Sequence, residues 1–185
     1  MIQPSFELVA TCAGLMNVYL AARASKWNWF FGIITVTLYM IIFFQVKLYC
    51  DMCLQIVFLG LQVYGIVQWS RGGHQSLHVT KAGTKIQLVA LGLFSLLFIL
   101  FIYLLKSYTD STTIVMDAFI TALSLVAQWM MCKKWLENWW LWMVVDIVSI
   151  KMYLIKHLYL TSGLYAAFFI ICCFGYRVWQ RQLKS

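Results

Sequence analysis

Residues 138–146 read Asn138-Trp139-Trp140-Leu141-Trp142-Met143-Val144-Val145-Asp146, and 110 residues earlier the chain reads Asn28-Trp29-Phe30-Phe31-Gly32-Ile33-Ile34-Thr35-Val36. Both stretches open on Asn-Trp and continue apolar. With no gap, the same offset pairs Thr11 with Thr121, Leu48-Tyr49 with Leu158-Tyr159, and Leu54 with Leu164. It also pairs Phe58 with Phe168, Gly65 with Gly175, Trp69 with Trp179 and Arg71 with Arg181. Two like apolar units usually hold a site between them, the plan on which many transporters are built.

The composition places both units in lipid. Of 185 residues 63% are hydrophobic and 11% charged, whereas a soluble domain carries about 25% charged residues. A helix needs about 20 apolar residues to cross a bilayer, and seven segments meet that need: Phe6–Ala22, Trp27–Phe44, Leu48–Ser70, Ile86–Leu105, Thr113–Met131, Asn138–Ile155 and Leu158–Gln180. A polar stretch, Arg71 to Lys85, precedes the fourth. The fold expected is an all-α integral membrane bundle occupying residues 1–185 as a single domain. Residues 6–70 form one three-helix repeat and 113–180 the second, with a linker helix at 86–105. Three helices reverse the chain's direction and the linker reverses it again, so the repeats run parallel, related by an axis along the membrane normal. The one proline, Pro4, leaves the segments unkinked. Met1 to Glu7 carry no Lys or Arg, which argues against a cleaved signal peptide.

The net charge of +8 reads as a topology signal and not as a nucleic-acid surface. The loops on the side of the N-terminus carry Lys47, Lys106, Lys151 and Lys156. The other side carries Arg23, Lys26, Arg71, Lys81, Lys85, Lys133, Lys134, Arg177, Arg181 and Lys184. Cytoplasmic loops collect Lys and Arg, so the N-terminus is expected outside and the C-terminus in the cytoplasm. Lys151 falls within the sixth segment and snorkels to the outer interface. Cys50 and Cys53 form a Cys-x-x-Cys without a second pair at zinc spacing, so the six cysteines read as small core residues. No metal or cofactor is expected.

Polar residues inside the segments are the functional signal. An acid near the bilayer centre costs about 2.5–3.5 kcal/mol on insertion scales, yet Asp51, Asp117 and Asp146 lie within apolar segments and Glu7 at the start of one. Helical spacing gathers them into stripes. These are Asp117, Thr121, Ser124 and Gln128; Glu7, Thr11, Gly14 and Asn17; Asp51, Gln55 and Gln62; and Asn138, Trp142, Asp146 and Ser149 with Trp139 beside them. Lipid cannot receive such faces. They either bond to one another and hold the bundle together or line a cavity for a polar solute. Trp140 suits the membrane interface, while Trp139 and Trp142 could present rings inward to a flat, cationic heterocycle.

Three stretches resemble the PnuC family of nicotinamide riboside transporters: Leu48-Tyr49-Cys50-Asp51-Met52-Cys53-Leu54-Gln55 leading to Tyr64-Gly65 and Trp69; Asp117-Ala118 through Thr121 to Gln128-Trp129; and Glu137-Asn138-Trp139-Trp140-Leu141-Trp142 running to Val145-Asp146. The resemblance extends to Tyr176-Arg177-Val178-Trp179. It implies a three-plus-one-plus-three fold like that of the SWEET sugar carriers, in the inner membrane of a bacterium. It also implies facilitated diffusion of nicotinamide riboside by alternating access, with trapping by cytoplasmic phosphorylation and hence a functional link to a riboside kinase. By the resemblance, Trp139 and Trp142 hold the substrate and Gln55 and Asn138 supply amide contacts. The polar faces add Thr121, Gln128, Asp146, Tyr165 and Asp51. No arginine lies within a segment to bind phosphate, which fits a nucleoside better than a nucleotide.

Other readings are a thiamine or riboflavin carrier of the same fold, a SWEET-type sugar carrier, which the lack of segment prolines disfavours, and a membrane enzyme. The last rests on His74 and His78, four apart in a Gly-containing loop with no acid nearby and His157 remote, so the expectation is no enzyme. Oligomeric state is left open, including a homo-oligomer.

Overall fold

A computed structural model describes residues 4–45, 47, 49–70, 77–108 and 113–184; the side chains of residues 4–7, Tyr49 and Cys50 lie outside that description. Glu7, Leu48, Arg71 and His74, singled out above, therefore fall outside it in whole or in side chain. The described residues form seven helices: α1 (Pro4–Ala22), α2 (Trp27–Gln45), α3 (Tyr49–Ser70), α4 (Thr84–Tyr108), α5 (Ile114–Cys132), α6 (Asn138–Ile155) and α7 (Tyr159–Gln182). Six of them have the length and hydropathy to cross a membrane, and within α1 the apolar run is Leu8–Ala22. Pro4 opens α1, where its missing N–H would have had no helical partner in any case.

Neighbouring helices pack in the order α1–α2–α3–α5–α6–α7, and α7 returns to α1, so six helices close a ring. The offset of 110 residues carries the α3–α5 seam onto the α7–α1 seam. Only α4 stands outside, against α5. Its Leu88, Val89, Leu91, Leu96, Ile99 and Tyr103 all point outward, as a lipid-facing helix requires. With α4 over its outer side, α5 is the most enclosed helix. Small residues let the backbones approach: Ala10, Ala21, Ala22, Ala118, Ala122 and Ala127 are completely buried.

The repeat extends into the turns. Among non-glycine residues with positive φ, Ala24 (53°) corresponds to Lys134 (53°) and Lys47 (61°) to His157 (57°). Each pair closes the same corner in the two units. One connection is elaborated. The segment before α4 is pinned to the α5–α6 turn through Thr80 N–H to the Lys134 carbonyl (3.1 Å) and Leu136 N–H to the Thr80 carbonyl (2.9 Å). Ala82 N–H adds a bond to the Glu137 carboxylate (2.8 Å). Lys134 Nζ donates to the Leu77 carbonyl (2.9 Å) and lies 4.5 Å over the Trp69 ring. Burial pushes its ammonium below the usual lysine range.

The cysteines divide. Cys132 and Cys172 are buried and Cys173 partly so, but Cys12 and Cys53 lie on the outer surface. Apolar segments have two dry environments, core and lipid, and a thiol suits either, so the expectation of a core location fails for these two.

Candidate functional site

The end of the ring that carries the α1–α2 and α5–α6 turns is closed by tryptophans. Trp29 meets Trp69 edge-on, with centroids 5.2 Å apart at 90°, and Trp139 meets Trp179 in the same way at 5.3 Å and 88°. Trp69 and Trp179 then touch each other across the unit boundary at 5.9 Å. The Trp69 indole donates to the carbonyls of Met131 and Cys132 (3.3 and 3.2 Å) at the end of α5. The Trp179 indole donates to the Ala21 carbonyl (3.1 Å) at the end of α1, and Ala21 is the counterpart of Met131. Each unit thus grips the other by the same bond. Glycine makes the approach possible: a Cβ at Gly65 would overlap the Trp29 ring, and one at Gly175 the Trp139 ring.

Above this floor a cavity of about 550 Å³ lies inside the ring, lined by all six ring helices and by nothing from α4. From α1 come Thr11, Gly14 and Asn17; from α2, Thr35, Val36 and Tyr39; from α3, Gln55, Phe58 and Gln62. Gln128 and Met131 reach in from α5, and Trp139, Trp142, Asp146 and Tyr153 from α6. On α7 the lining includes Thr161, Tyr165, Phe168 and Cys172. Among the described residues, the lining holds one carboxylate and no Lys, Arg or His. Asp146 is 3% exposed, and the Cys172 thiol donates to its Oδ2 at 3.4 Å. Tyr153 and Tyr165 stack at 5.3 Å, with Phe168 edge-on to Tyr165 at 5.8 Å.

Of the residues expected to bind substrate, Gln55, Gln128, Trp139, Trp142, Asp146 and Tyr165 meet around this cavity. Asn138, Thr121 and Asp51 do not line it. Asn138 is fully buried beside the turn, its Nδ2 donating to the Trp135 carbonyl at 2.6 Å. Asn28, its counterpart, is buried too, so this asparagine belongs to the repeated scaffold. Thr121 is half-buried elsewhere on α5, and Asp51 is exposed. Asp117 pairs with Lys156 at 3.5 Å and accepts from Thr113 Oγ1 at 2.8 Å, a helix-end acid and not a cavity acid. Trp139 and Trp142 also part company. Trp139 is completely buried in the tryptophan floor and Trp142 is half-buried on the wall, and the Nε1 of each has no hydrogen-bond partner within the protein.

Two lining residues gain weight that spacing alone did not give them. A Cβ at Gly32 would overlap both Asn17 Nδ2 and Gln62 Oε1. The missing side chain of Gly32 is what lets α1 and α3 bring their amides together over α2. The signal was present in the sequence as a glycine opposite Trp142, but only the three-dimensional arrangement shows what the space is used for. His78 is exposed, and among the described residues no three His, Cys, Asp or Glu side chains cluster to hold a metal ion.

Comparison with known proteins bears on this geometry. The sequence profile described as nicotinamide mononucleotide transporter matches residues 5–181. The nicotinamide riboside transporter PnuC of Escherichia coli (strain K12) is 32% identical over 206 residues, covering 97% of this chain and 86% of that protein. The protein of the same name from Neisseria mucosa is 24% identical, covering 95% and 72%. A crystal structure of the vitamin B3 transporter PnuC superposes with a TM-score of 0.79 at 23% identity, covering 98% of this chain and 83% of the other. That superposition bears on the fold, the same seven-helix bundle.

Proposed function

The chain belongs to the nicotinamide mononucleotide transporter family, the family of the PnuC proteins, and from that premise we propose that it carries nicotinamide riboside across the bacterial inner membrane by facilitated diffusion. The family is one of membrane transporters and not of enzymes. The observation that carries the substrate reading is the lining of the cavity, which among the described residues offers several aromatic rings, amides and hydroxyls, a single acid, and no basic side chain. A pyridinium nucleoside has a flat cationic ring, which aromatic faces attract by about 0.5–2 kcal/mol per contact. Its ribose offers hydroxyls to the polar groups, and Asp146 supplies the opposite charge. A mononucleotide would bring a phosphate into a site with no cation to receive it and a carboxylate to repel it. The relatives' names favour the riboside over thiamine, riboflavin or a sugar.

In this reading the two parallel three-helix units rock about the tryptophan floor. The Lys- and Arg-rich end that carries the floor faces the cytoplasm, the cavity is reached from outside, and a riboside kinase within the cell traps the solute. Gln55, Gln128, Trp142, Asp146 and Tyr165 hold the substrate. Uptake of radiolabelled nicotinamide riboside into liposomes tests the proposal. Saturable uptake without an imposed sodium or proton gradient, and little inhibition by the mononucleotide, are expected; strict ion dependence or preferential uptake of the mononucleotide would refute it.

A further inference from the structure

The cavity breaks the repeat in a compensated way. At the three positions where the first unit has Gly32, Asn17 and Gln62, the second has Trp142, Ala127 and Cys172. In one unit a missing side chain on the middle helix admits two long amides. In the other, two small residues flank a large indole. The two sets differ in size, nine side-chain heavy atoms against thirteen, and they differ in chemistry: one wall offers hydrogen bonds and the other an aromatic face.

The amide wall carries a specific pattern. Asn17 Nδ2, a donor, and Gln62 Oε1, an acceptor, converge on the spot that a Gly32 side chain would occupy. Gln62 is 5% exposed, and its Oε1 has no hydrogen-bond partner within the protein. A buried acceptor left unpaired is costly, and Gln62 is one of the residues that line the cavity. A donor beside an acceptor is the complement of a primary carboxamide, whose carbonyl accepts while its NH2 donates. A carboxylate has only acceptors and would set an oxygen lone pair against Gln62 Oε1, with Asp146 in the same cavity.

We infer that Asn17 and Gln62 read the carboxamide of the substrate and so set specificity for the amide over the acid form of the vitamin. The inference rests on the riboside reading above, and deepens it by assigning one end of the solute to one unit. The amide end lies on the first unit, against α1 and α3, and the ring lies against Trp142 of the second.

Calorimetric titration of the purified protein with nicotinamide riboside and with nicotinic acid riboside separates the two ideas, because the ligands share the cationic ring and the ribose. Wild type should prefer the amide by about tenfold or more. Gln62→Met, nearly isosteric, and Asn17→Ala should each lower affinity for the amide by about tenfold, the order of one lost hydrogen bond, with little change for the acid. The preference then collapses. A wild-type preference retained in Asn17→Ala, or a Gln62→Met protein that loses both ligands alike, overturns the assignment while leaving riboside transport standing. A wild type that binds neither ligand overturns the riboside reading itself.

Discussion

Replacing Trp179 by Phe keeps a ring against Trp69 and Trp139 but deletes the N–H that reaches across the unit boundary to the Ala21 carbonyl. That carbonyl keeps one partner, Ala24 N–H at 2.9 Å, so the loss is the net value of one hydrogen bond, about 1 kcal/mol. The void left where indole gives way to phenyl, roughly 40 Å³, costs about 1 kcal/mol more at the rate seen for core truncations. Trp69→Phe should cost a similar amount. Its acceptors, Met131 and Cys132, sit at the equivalent end of α5, and Met131 likewise accepts from Lys134 N–H at 2.9 Å. We expect each variant to lose about 2 kcal/mol by thermal unfolding in detergent. The pair should depart from additivity by about 0.5 kcal/mol or more, because the two rings touch.

The same bonds must break for this end to open, so a loss of about 2 kcal/mol raises the open population about 30-fold. Cys132, completely buried with its Sγ on the Leu61 carbonyl at 3.4 Å, reports on it. Peptide mass mapping should show faster labelling of Cys132 by an impermeant maleimide in both variants, while the outward-facing Cys12 and Cys53 serve as internal controls. If only one of the two substitutions destabilises, the symmetric clasp is not energetically symmetric. If neither changes stability or labelling, it does not close this end at all.

Trp142→Ala should weaken nicotinamide riboside binding by about 2 kcal/mol, roughly 30-fold by calorimetry, with the fold intact, since the ring is a half-buried wall. Trp139→Ala should instead unfold the protein or cost about 3–5 kcal/mol; a stable Trp139→Ala that merely loses substrate would return that ring to the binding site. Asp146→Asn should reduce affinity for the cationic riboside but not for its uncharged dihydropyridine form, and equal losses for both would deny the carboxylate its charge-pairing role. Gly65→Val and Gly175→Val should both lower folded yield, read by size-exclusion chromatography, because each new side chain overlaps a tryptophan ring; tolerance of either would mean the rings can move aside.

The architecture was legible because membrane spans follow from hydropathy and length, and because the repeat survived without gaps. Helix limits fall within a few residues of those read from the apolar runs: α6 runs Asn138–Ile155, as expected from the sequence. The site was legible only in part. Spacing gives a helix a polar stripe but not the angle at which the stripe meets its neighbours. In α5, Gln128 reaches the cavity while Thr121 and Asp117, on the same stripe, do not. The repeat separates the two rings: Trp139 has a tryptophan counterpart and Trp142 does not, though both line the cavity. Gln62 and Asn17 stood in the stripes but drew no special weight, because the glycine that makes room for them lies on a third helix.

Where the two units agree and where they differ is itself ordered in space. Residues that keep their identity across the offset close the ring at one end: Asn28 and Asn138, Trp29 and Trp139, Gly65 and Gly175, Trp69 and Trp179. The cavity lining keeps Phe58 and Phe168 alike but changes at other positions: Val36 against Asp146, Gln62 against Cys172, Val18 against Gln128, Gln55 against Tyr165, and Trp142, whose counterpart is Gly32. The division follows from two different demands. Units that rock against each other, as proposed above, need equivalent bearing surfaces, since a contact made by one must be mirrored by the other if the seam is to close evenly. A solute with an amide at one end and a sugar at the other has no two-fold axis, and a symmetric pair of walls would satisfy only half of its groups. The charge makes the point most sharply. On the proposed riboside reading, a second carboxylate in place of Val36 would be a buried acid with no second cation to pair it, at several kcal/mol.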